Sequence, residues 1–590
     1  MKNIKSASTL RWISNVVGRK KIYILILLVV QIVLGISSVF YALILRGVID
    51  EAVAKDSEGF FYGIAAFLGL VLFQILLRAI NRFLEEYSRA TMENCFKERL
   101  FTFLLNCDYG SFSEVHSGEW MNRITSDTVV VADGLAQIIP IVAGMLVKMV
   151  GAVAMILILE QEFIYILIPG GILLISLTYV FRKALKRFHR KVQESDGYLR
   201  VFLQESFCSM LVLRTFVKEE QTLESASEKM EAHKKARMKK NHFSNICNIG
   251  FGGVMQGAYV LGVGFCGYGI LIGTMSYGTL MAILQLISQI QSPFANITGY
   301  IPKYYAMLVS GERLMEAEGY DEEIEIKHKK LKSISEIYTL YENYFSSLTL
   351  CNVDFTYKSP VKNSDTEMSR VVKAVNMKIE KGDYVAFTGP SGCGKSTILK
   401  LLMCLYPLDK GKRWIDIKHE NSLSSNGFKD DEVQKRVSLT ADYRRLFAYV
   451  PQENHLMSGT IGQIVAYSDK EAIKDEDRIW KALRIACAED FVKELPLGLN
   501  TFLGERGLGL SEGQMQRIAI ARAIFSDNPI LIFDESTSAL DEKTEELLLC
   551  NLRAMTNKTV IIVTHRKSVL KICDKEIMFQ EGNIRVRNLI

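Results

Sequence analysis

Apolar runs long enough to cross a bilayer dominate the first half of the chain, and they are set apart by stretches rich in charge. A helix needs about 20 apolar residues to span the hydrocarbon core. Six stretches meet that length: Ile22 to Leu45, Phe60 to Leu77, Ile138 to Leu159, Phe163 to Phe181, Ile246 to Ile272 and Leu280 to Ile301. Glu160, Gln161 and Glu162 alone separate the third from the fourth, and the turn from Gly273 to Thr279 separates the fifth from the sixth, which makes two tight hairpins on one side. The basic segment from Met1 to Lys21 resembles the start of a signal peptide, but the run after it is too long for a signal core and lacks a small-residue cleavage site, so it reads as a retained first span. Because the chain reaches this span so soon, no peptidase-like extension is expected ahead of it.

Between the second and third runs, and again between the fourth and fifth, about 60 residues carry helical patterning without proline. At about 1.5 Å per residue, a hairpin of that length takes its tip some 35 to 45 Å from the membrane. Such tips can reach a second domain, or they are solvated helices with no coupling role. Arg182, Lys183, Lys186, Arg187, Arg190 and Lys191, followed by Lys234, Lys235, Arg237, Lys239 and Lys240, load one hairpin with positive charge, whereas Asp50 to Glu58 is acidic on balance. The basic side is cytoplasmic. An even number of spans then returns the chain to that side.

In the sixth run Gln285, Gln289, Ser292 and Asn296 share one helical face. Gln31, Ser37 and Ser38 in the first run and Gln256 in the fifth add to this polar inventory. Polar groups turned away from lipid serve either as interhelical glue or as the lining of a wet passage.

From about Leu348 the pattern changes to short β-branched runs punctuated by Gly, Asp and Lys, which predicts an α/β domain. The strand pattern Tyr384-Val-Ala-Phe387 runs into Gly389-Pro-Ser391-Gly392-Cys393-Gly394-Lys395-Ser396-Thr397 and then the helical pattern Ile398 to Leu405. This is the strand, loop and helix setting of a phosphate-binding loop. Its glycines let backbone N–H groups turn onto phosphates, Lys395 reaches the outer phosphates, and Ser396 is placed to ligate Mg²⁺. Further on, Ile530-Leu-Ile-Phe-Asp534-Glu535 is an apolar strand ending in two carboxylates, the first suited to the Mg²⁺ shell and the second to polarising an attacking water. Val560 to Val563 repeats the buried-strand pattern and ends at Thr564-His565, where a histidine at a strand's C-terminal edge is placed for a γ-phosphate.

At 590 residues, with this split composition, the chain holds at least two domains. Its net charge of +6 is concentrated in the segments assigned to the cytoplasm, so no nucleic-acid partner is needed to explain it. The eleven cysteines form no CxxC pair and read as reduced thiols.

With these motifs in place, the second half resembles the nucleotide-binding domain of ATP-binding cassette transporters. The resemblance rests also on Tyr357 in Phe355-Thr-Tyr, Gln452 in Tyr449-Val-Pro-Gln, Leu510-Ser511-Glu512-Gly513-Gln514, and Ser538-Ala-Leu-Asp541. It implies that Tyr357 stacks on adenine. Gln452 then joins Ser396 and Asp534 around Mg²⁺, partly through water, while Glu535, His565 and Gln452 serve hydrolysis. Ser511, Gly513 and Gln514 form the signature, and Asp541 belongs to the D-loop. In the first half, Ser117-Gly118-Glu119 through Asp127 and Glu205-Ser206 through Phe216 are similar to intracellular loops of six-span exporters; Thr501 to Gly507 is similar to the exporter loop ahead of the signature. The implied layout is an N-terminal segment 1–21, an all-α six-span transmembrane domain 22–320, a linker 321–345 and an α/β P-loop domain 346–590.

Two features depart from the family pattern. Glu512 stands where glycine is usual, which puts a carboxylate next to a phosphate-facing loop, and polar insertions run from Lys362 to Met368 and from Lys418 to Asp431. One chain carries one copy of each motif, so the resemblance implies a dimer in which the Walker A loop of one subunit meets the signature of another, as a homodimer or with a different half-transporter. ATP and Mg²⁺ are the implied cofactors, alternating access the implied cycle, and a bacterial plasma membrane the implied location. Drug-like molecules, lipids and peptides all suit a cavity of aromatic, apolar and glutamine side chains. An importer of the same fold and an ATP-gated channel are the competing readings. A water-soluble ATPase of the same family is excluded by the six apolar runs.

Overall fold

The computed structural model describes residues 2–113, 115, 117–319, 333–357, 371–418, 435–453, 456–469, 471–504, 509–580 and 583–589. Both polar insertions, residues 321–332 of the linker and residues 505–508 of the exporter-like loop fall outside these, apart from Lys418 at the start of the second insertion. The chain divides into two compact units, Met1–Thr102 with Ser117–Gly319, and Phe103–His116 with Tyr320–Ile590.

The first unit is helical. Its long helices are Lys21–Ala54, Ser57–Asn106, Ile139–Leu159, Ile164–Cys208, Glu219–Leu271 and Tyr277–Ala317, so each expected apolar run lies within or largely on one continuous helix. Among the described residues, four helices are long and apolar enough to cross a membrane: Ala7–Ala54, Ser57–Asn106, Ser117–Leu159 and Glu219–Leu271. The fourth and sixth expected spans fall on Ile164–Cys208 and Tyr277–Ala317, parts of whose side chains lie outside the described set. Lys21–Ala54 packs against Ile139–Leu159 and Tyr277–Ala317, and Ile164–Cys208 against Glu219–Leu271. Small residues allow a close crossing: a Cβ on Gly35 would lie 3.1 Å from the Gly144 carbonyl oxygen, and one on Gly144 would lie 3.1 Å from that of Gln31.

The bonds made by several polar span residues are those of interhelical glue. Gln289 Nε2 donates to the Ser38 carbonyl at 2.6 Å, and Gln74 Nε2 donates to the Ser37 carbonyl at 3.1 Å. The Ser37 and Ser38 hydroxyls both turn back to the Leu34 carbonyl. Gln285 and Gln31 are half-buried and Gln256 is exposed, whereas the side chains of Ser292 and Asn296 lie outside the described residues.

The second unit is α/β. Its larger sheet has the order Asn583–Asn588, Lys575–Gln580, Tyr384–Thr388, Thr559–Val563, Ile530–Asp534, Phe447–Val450, and all but the first strand run parallel. Ile530–Asp534 and Thr559–Val563 are buried at every position, the pattern of strands covered on both faces. Their side chains alternate between two cores: Leu531, Phe533, Val560 and Ile562 enter one, while Ile530, Ile532, Ile561 and Val563 enter the other. A second, antiparallel sheet runs Val372–Glu380, Phe345–Phe355, Lys410–Ile417, Lys435–Ser438.

Residues 103–116 belong to this second unit, although the helix they end begins in the first. There the short helix Tyr109–Ser113 meets Tyr406, ring to ring at 5.7 Å, and Ser113 Oγ lies 3.3 Å from the Tyr406 hydroxyl.

Ile561 is fully buried in the middle of the larger sheet. Ile561→Ala is expected to destabilise the second unit by about 2–5 kcal/mol, read by calorimetry as a fall in that unit's unfolding transition; an unmoved transition would contradict this packing.

Candidate functional site

Parallel pairing in register brings the motif residues together. Val563 pairs with both Phe387 and Asp534, and Val450 pairs with Phe533, so four neighbouring strands end nearly flush. The phosphate loop, His565, Glu535 and Gln452 each follow the C-terminal end of one of them. Such an edge is where open α/β sheets bind ligands.

In the loop itself, Gly389, Gly392 and Gly394 hold φ of 137°, 80° and 99°, values closed to side chains of ordinary handedness. A Cβ on Gly389 would come 2.5 Å from the Phe579 carbonyl oxygen, and one on Gly394 would lie 3.1 Å from that of Val371. The cradle therefore exists only because these positions are glycine, which fits a loop that wraps phosphate. Lys395 is buried at the head of the helix Lys395–Leu402, and its Nζ donates to the Gly389 and Pro390 carbonyls at 2.8 and 2.9 Å. The ammonium thus sits over the loop. Ser391 is exposed at the loop's tip and Cys393 is half-buried.

Asp534 is 3 % exposed, and two hydroxyls hold its oxygens: Ser396 Oγ donates to Oδ1 at 3.0 Å and Tyr449 Oη donates to Oδ2 at 3.0 Å. Burial pushes this carboxyl above its ordinary range against the pull of those two bonds, and the adjacent Glu535 charge adds to the push. Burial, with the Asp534 charge behind it, also pushes the Tyr449 phenol well up, so that it stays a donor. A buried carboxylate beside a serine hydroxyl fits Mg²⁺, which takes one or two carboxylates and fills its remaining positions with water and phosphate oxygens. Among the described residues no cluster of three or more acidic, histidine or cysteine side chains is found.

Glu535 adopts φ of 51°, an uncommon conformation for a non-glycine residue, fixed by its N–H donating to the Val563 carbonyl at 3.2 Å. This turn aims the side chain away from the strand. Gln452 Nε2 donates to Glu535 Oε2 at 3.2 Å, and His565 Nε2 lies 3.4 Å from Oε1. Three residues from three strand ends therefore meet at one carboxylate.

Tyr357 places its hydroxyl 3.1 Å from Thr397 Oγ1, and its ring stands edge-on to Phe355 and Tyr406. The signature residues form a separate group. Ser511 caps the helix Glu512–Phe525, its Oγ accepting from the Gln514 N–H while the Gln514 side chain accepts from the Ser511 N–H. Gly513 faces the D-loop so closely that a Cβ would lie 2.8 Å from the Ala539 carbonyl oxygen. Asp541 caps the next helix by accepting from the Thr544 N–H at 3.0 Å, and these bonds hold its carboxyl below the usual range.

Sequence reasoning quoted Tyr449 without giving it a part in the site. Its contact with Asp534 depends on the pairing of Phe447 with Ile530, which no local signal announces.

Residues 22–294 match the family model for the ABC transporter transmembrane region, and residues 372–538 match the one for ABC transporter. ABC transporter B family member 1 of Dictyostelium discoideum is 27% identical over 493 residues, 83% of this chain and 50% of that protein, so the chain spans half the relative's length. The ATP-dependent lipid A-core flippase of Pasteurella multocida (strain Pm70) is 25% identical over 577 residues, 94% of this chain and 92% of that protein. A solved structure of a bacterial Atm1-family ABC exporter with ATP bound shares the fold, with a TM-score of 0.75 at 20% identity, covering 96% of this chain and 95% of that one.

Two outcomes follow from the Asp534 geometry. Tyr449→Phe removes a donor to the charged carboxylate, so the acid limb of the pH–rate profile for nucleotide hydrolysis is expected to move up by about one pH unit; an unmoved limb would contradict the contact. Because the folded-state value of Asp534 lies above its unfolded one, stability falls as pH rises through that interval. Asp534→Asn removes the loss and is expected to stabilise the nucleotide-free protein at neutral pH by about 0.5–2 kcal/mol while abolishing hydrolysis. Denaturation and phosphate release measure the two effects.

Proposed function

The chain belongs to the ATP-binding cassette transporters, and from that premise we propose that it is one half of a dimeric, ATP-hydrolysing exporter of the bacterial plasma membrane, with its nucleotide-binding domain in the cytoplasm. The observation that carries this reading is the meeting of Gln452, Glu535 and His565 beside the Lys395 loop, in a chain whose other half is membrane-spanning helix. A competent hydrolytic half-site is built onto the membrane helices by a single polypeptide.

Lys395 and the loop glycines bind the outer phosphates of ATP, and Tyr357 offers its ring to the adenine. Ser396 and Asp534, with Gln452 through water, would hold Mg²⁺, which when bound neutralises charge on the β- and γ-phosphates. Glu535 accepts a hydrogen bond from the attacking water and draws off its proton, held in place by its backbone turn and by Gln452. His565, on the other side of the same carboxylate, faces the γ-phosphate. Ser511, Gly513 and Gln514 serve the site of a second subunit, since a capped helix N-terminus favours a phosphate brought to it. Closure of the paired domains over ATP turns the spans outward, hydrolysis releases them, and the helical hairpin tips carry the movement. The substrate class at this level is a drug-like molecule, a lipid or a peptide.

Glu535→Gln keeps the size and the hydrogen-bonding reach of the side chain but not its basicity. Turnover is expected to fall by at least about 100-fold with ATP still bound, as read by phosphate release and by retention of labelled nucleotide after gel filtration. Undiminished hydrolysis would remove Glu535 from its role.

A further inference from the structure

Where the chain enters its first long helix, a lysine and a cysteine from two different elements are pressed together. Lys20 Nζ donates to Cys95 Sγ at 2.8 Å. That is the length of a hydrogen bond to oxygen, although sulfur is the larger atom. Lys20 is exposed and Cys95 half-buried. The bond to Cys95 holds the Lys20 ammonium above its ordinary range, and Glu98 and Tyr23 add to the effect.

Packing on both sides of the pair fixes the two backbones that carry it. Lys20 ends the short turn Gly18–Lys20, which follows the helix Lys2–Val17, and Thr9, Ile13 and Val17 of that helix are buried along one face. There Gly311 of Tyr277–Ala317 lets them come close, since a Cβ on it would lie 2.9 Å from Ile13 and 3.0 Å from Thr9. Trp12 Nε1 donates to Glu318 Oε2 at 3.0 Å, and Arg99 Nε donates to Oε1 of the same carboxylate at 2.6 Å. Beyond the pair, the rings of Tyr23 and Tyr87 meet edge to face at 5.3 Å. Lys20 lies between Trp12 and Tyr23, and Cys95 between Tyr87 and Arg99, so the contact is bracketed along both strands of chain.

Peroxide oxidises a cysteine through its thiolate, first to a sulfenic acid, and a nitrogen in reach then captures the oxidised sulfur. Here the nitrogen is already in place. One oxygen bonded singly to both atoms spans a separation of this size, whereas a direct nitrogen–sulfur bond would require a much closer approach. We propose that Lys20 and Cys95 are a modification site, closed by hydrogen peroxide into a covalent Nζ–O–Sγ bridge. In the net reaction the amine and the thiol, with two molecules of peroxide, give the bridge and three of water. The N–H and S–H bonds are replaced by N–O and O–S bonds, nitrogen and sulfur are oxidised, and both peroxides are reduced. Two molecules of a dithiol reverse it, returning amine, thiol and one water. The bridge ties the helix Lys2–Val17 covalently to Ser57–Asn106, at the place where Glu318 already joins both to the end of Tyr277–Ala317. Its formation needs neither ATP nor a transported substrate, so it stands apart from the exporter reading.

The test uses the full-length protein in nanodiscs, treated with hydrogen peroxide, alkylated, digested with trypsin and read by mass spectrometry. The segment Ala90 to Lys97, which holds Cys95, is expected to carry Lys20 and Lys21 joined to it, with one oxygen gained and two hydrogens lost at the junction. Met92 in the same segment also takes up oxygen, so the joined lysine segment, located by fragmentation, is the signature. Dithiothreitol should return both segments to their free forms. Cys95→Ser and Lys20→Arg should each abolish the joined species and Lys21→Arg should keep it, with thermal unfolding of each variant confirming the fold. The wild-type digest decides the matter by itself if a variant fails to fold. Cys95 found only as sulfinic or sulfonic acid, a junction without the added oxygen, or a joined species that survives Lys20→Arg would overturn the proposal.

Discussion

Everything the site does depends on the parallel register of four buried strands. Val563 opposite Phe387 and Asp534, together with Val450 opposite Phe533, sets four strand ends at one level. A slip of one residue would reverse which core each side chain enters, exchanging the set around Ile532 and Ile561 with the set around Phe533 and Ile562. Two filled cores make that slip costly. The strand ends are consequently fixed far more firmly than any loop could fix them, and Gln452, Glu535 and His565 inherit that precision.

The strand ends also carry the energetic costs of function. Glu535 holds a left-handed backbone, Asp534 is buried as a carboxylate with hydroxyl partners, and the ammonium of Lys395 rests on loop carbonyls. A left-handed non-glycine backbone and a buried charge each carry a cost, and on the proposed function that cost would be offset when nucleotide and metal bind. The signature is built in the opposite way. Ser511 and Gln514 satisfy one another, and Gly513 packs tightly against Ala539, so that helix start is stable before any phosphate reaches it.

Much of this was legible in the sequence, for identifiable reasons. Strands buried on both faces give unbroken apolar runs, which is why Ile530–Asp534 and Thr559–Val563 could be placed closely. The glycine spacing of the phosphate loop is dictated by backbone angles and so survives as a motif. What was hidden depends on tertiary direction. Tyr449 gains its partner only through sheet pairing, and the choice between glue and lining for Ser38 and Gln289 is made by where two helices cross. The helical patterning of the first hairpin gave no sign that residues 103–116 would belong to the second unit.

The central claim is that each hydrolytic site is completed by the signature of another subunit, and a native thiol allows it to be tested directly. Cys393 lies in the phosphate loop, and a disulfide forms only when Cα atoms come within about 4.4–6.8 Å. With Ser511→Cys in the Glu535→Gln background, mild oxidation in the presence of ATP should give a crosslinked dimer that is absent without nucleotide and absent in the added Cys393→Ser variant. Crosslinking confined within single chains, or a dimer band indifferent to ATP and to Cys393, would contradict the account.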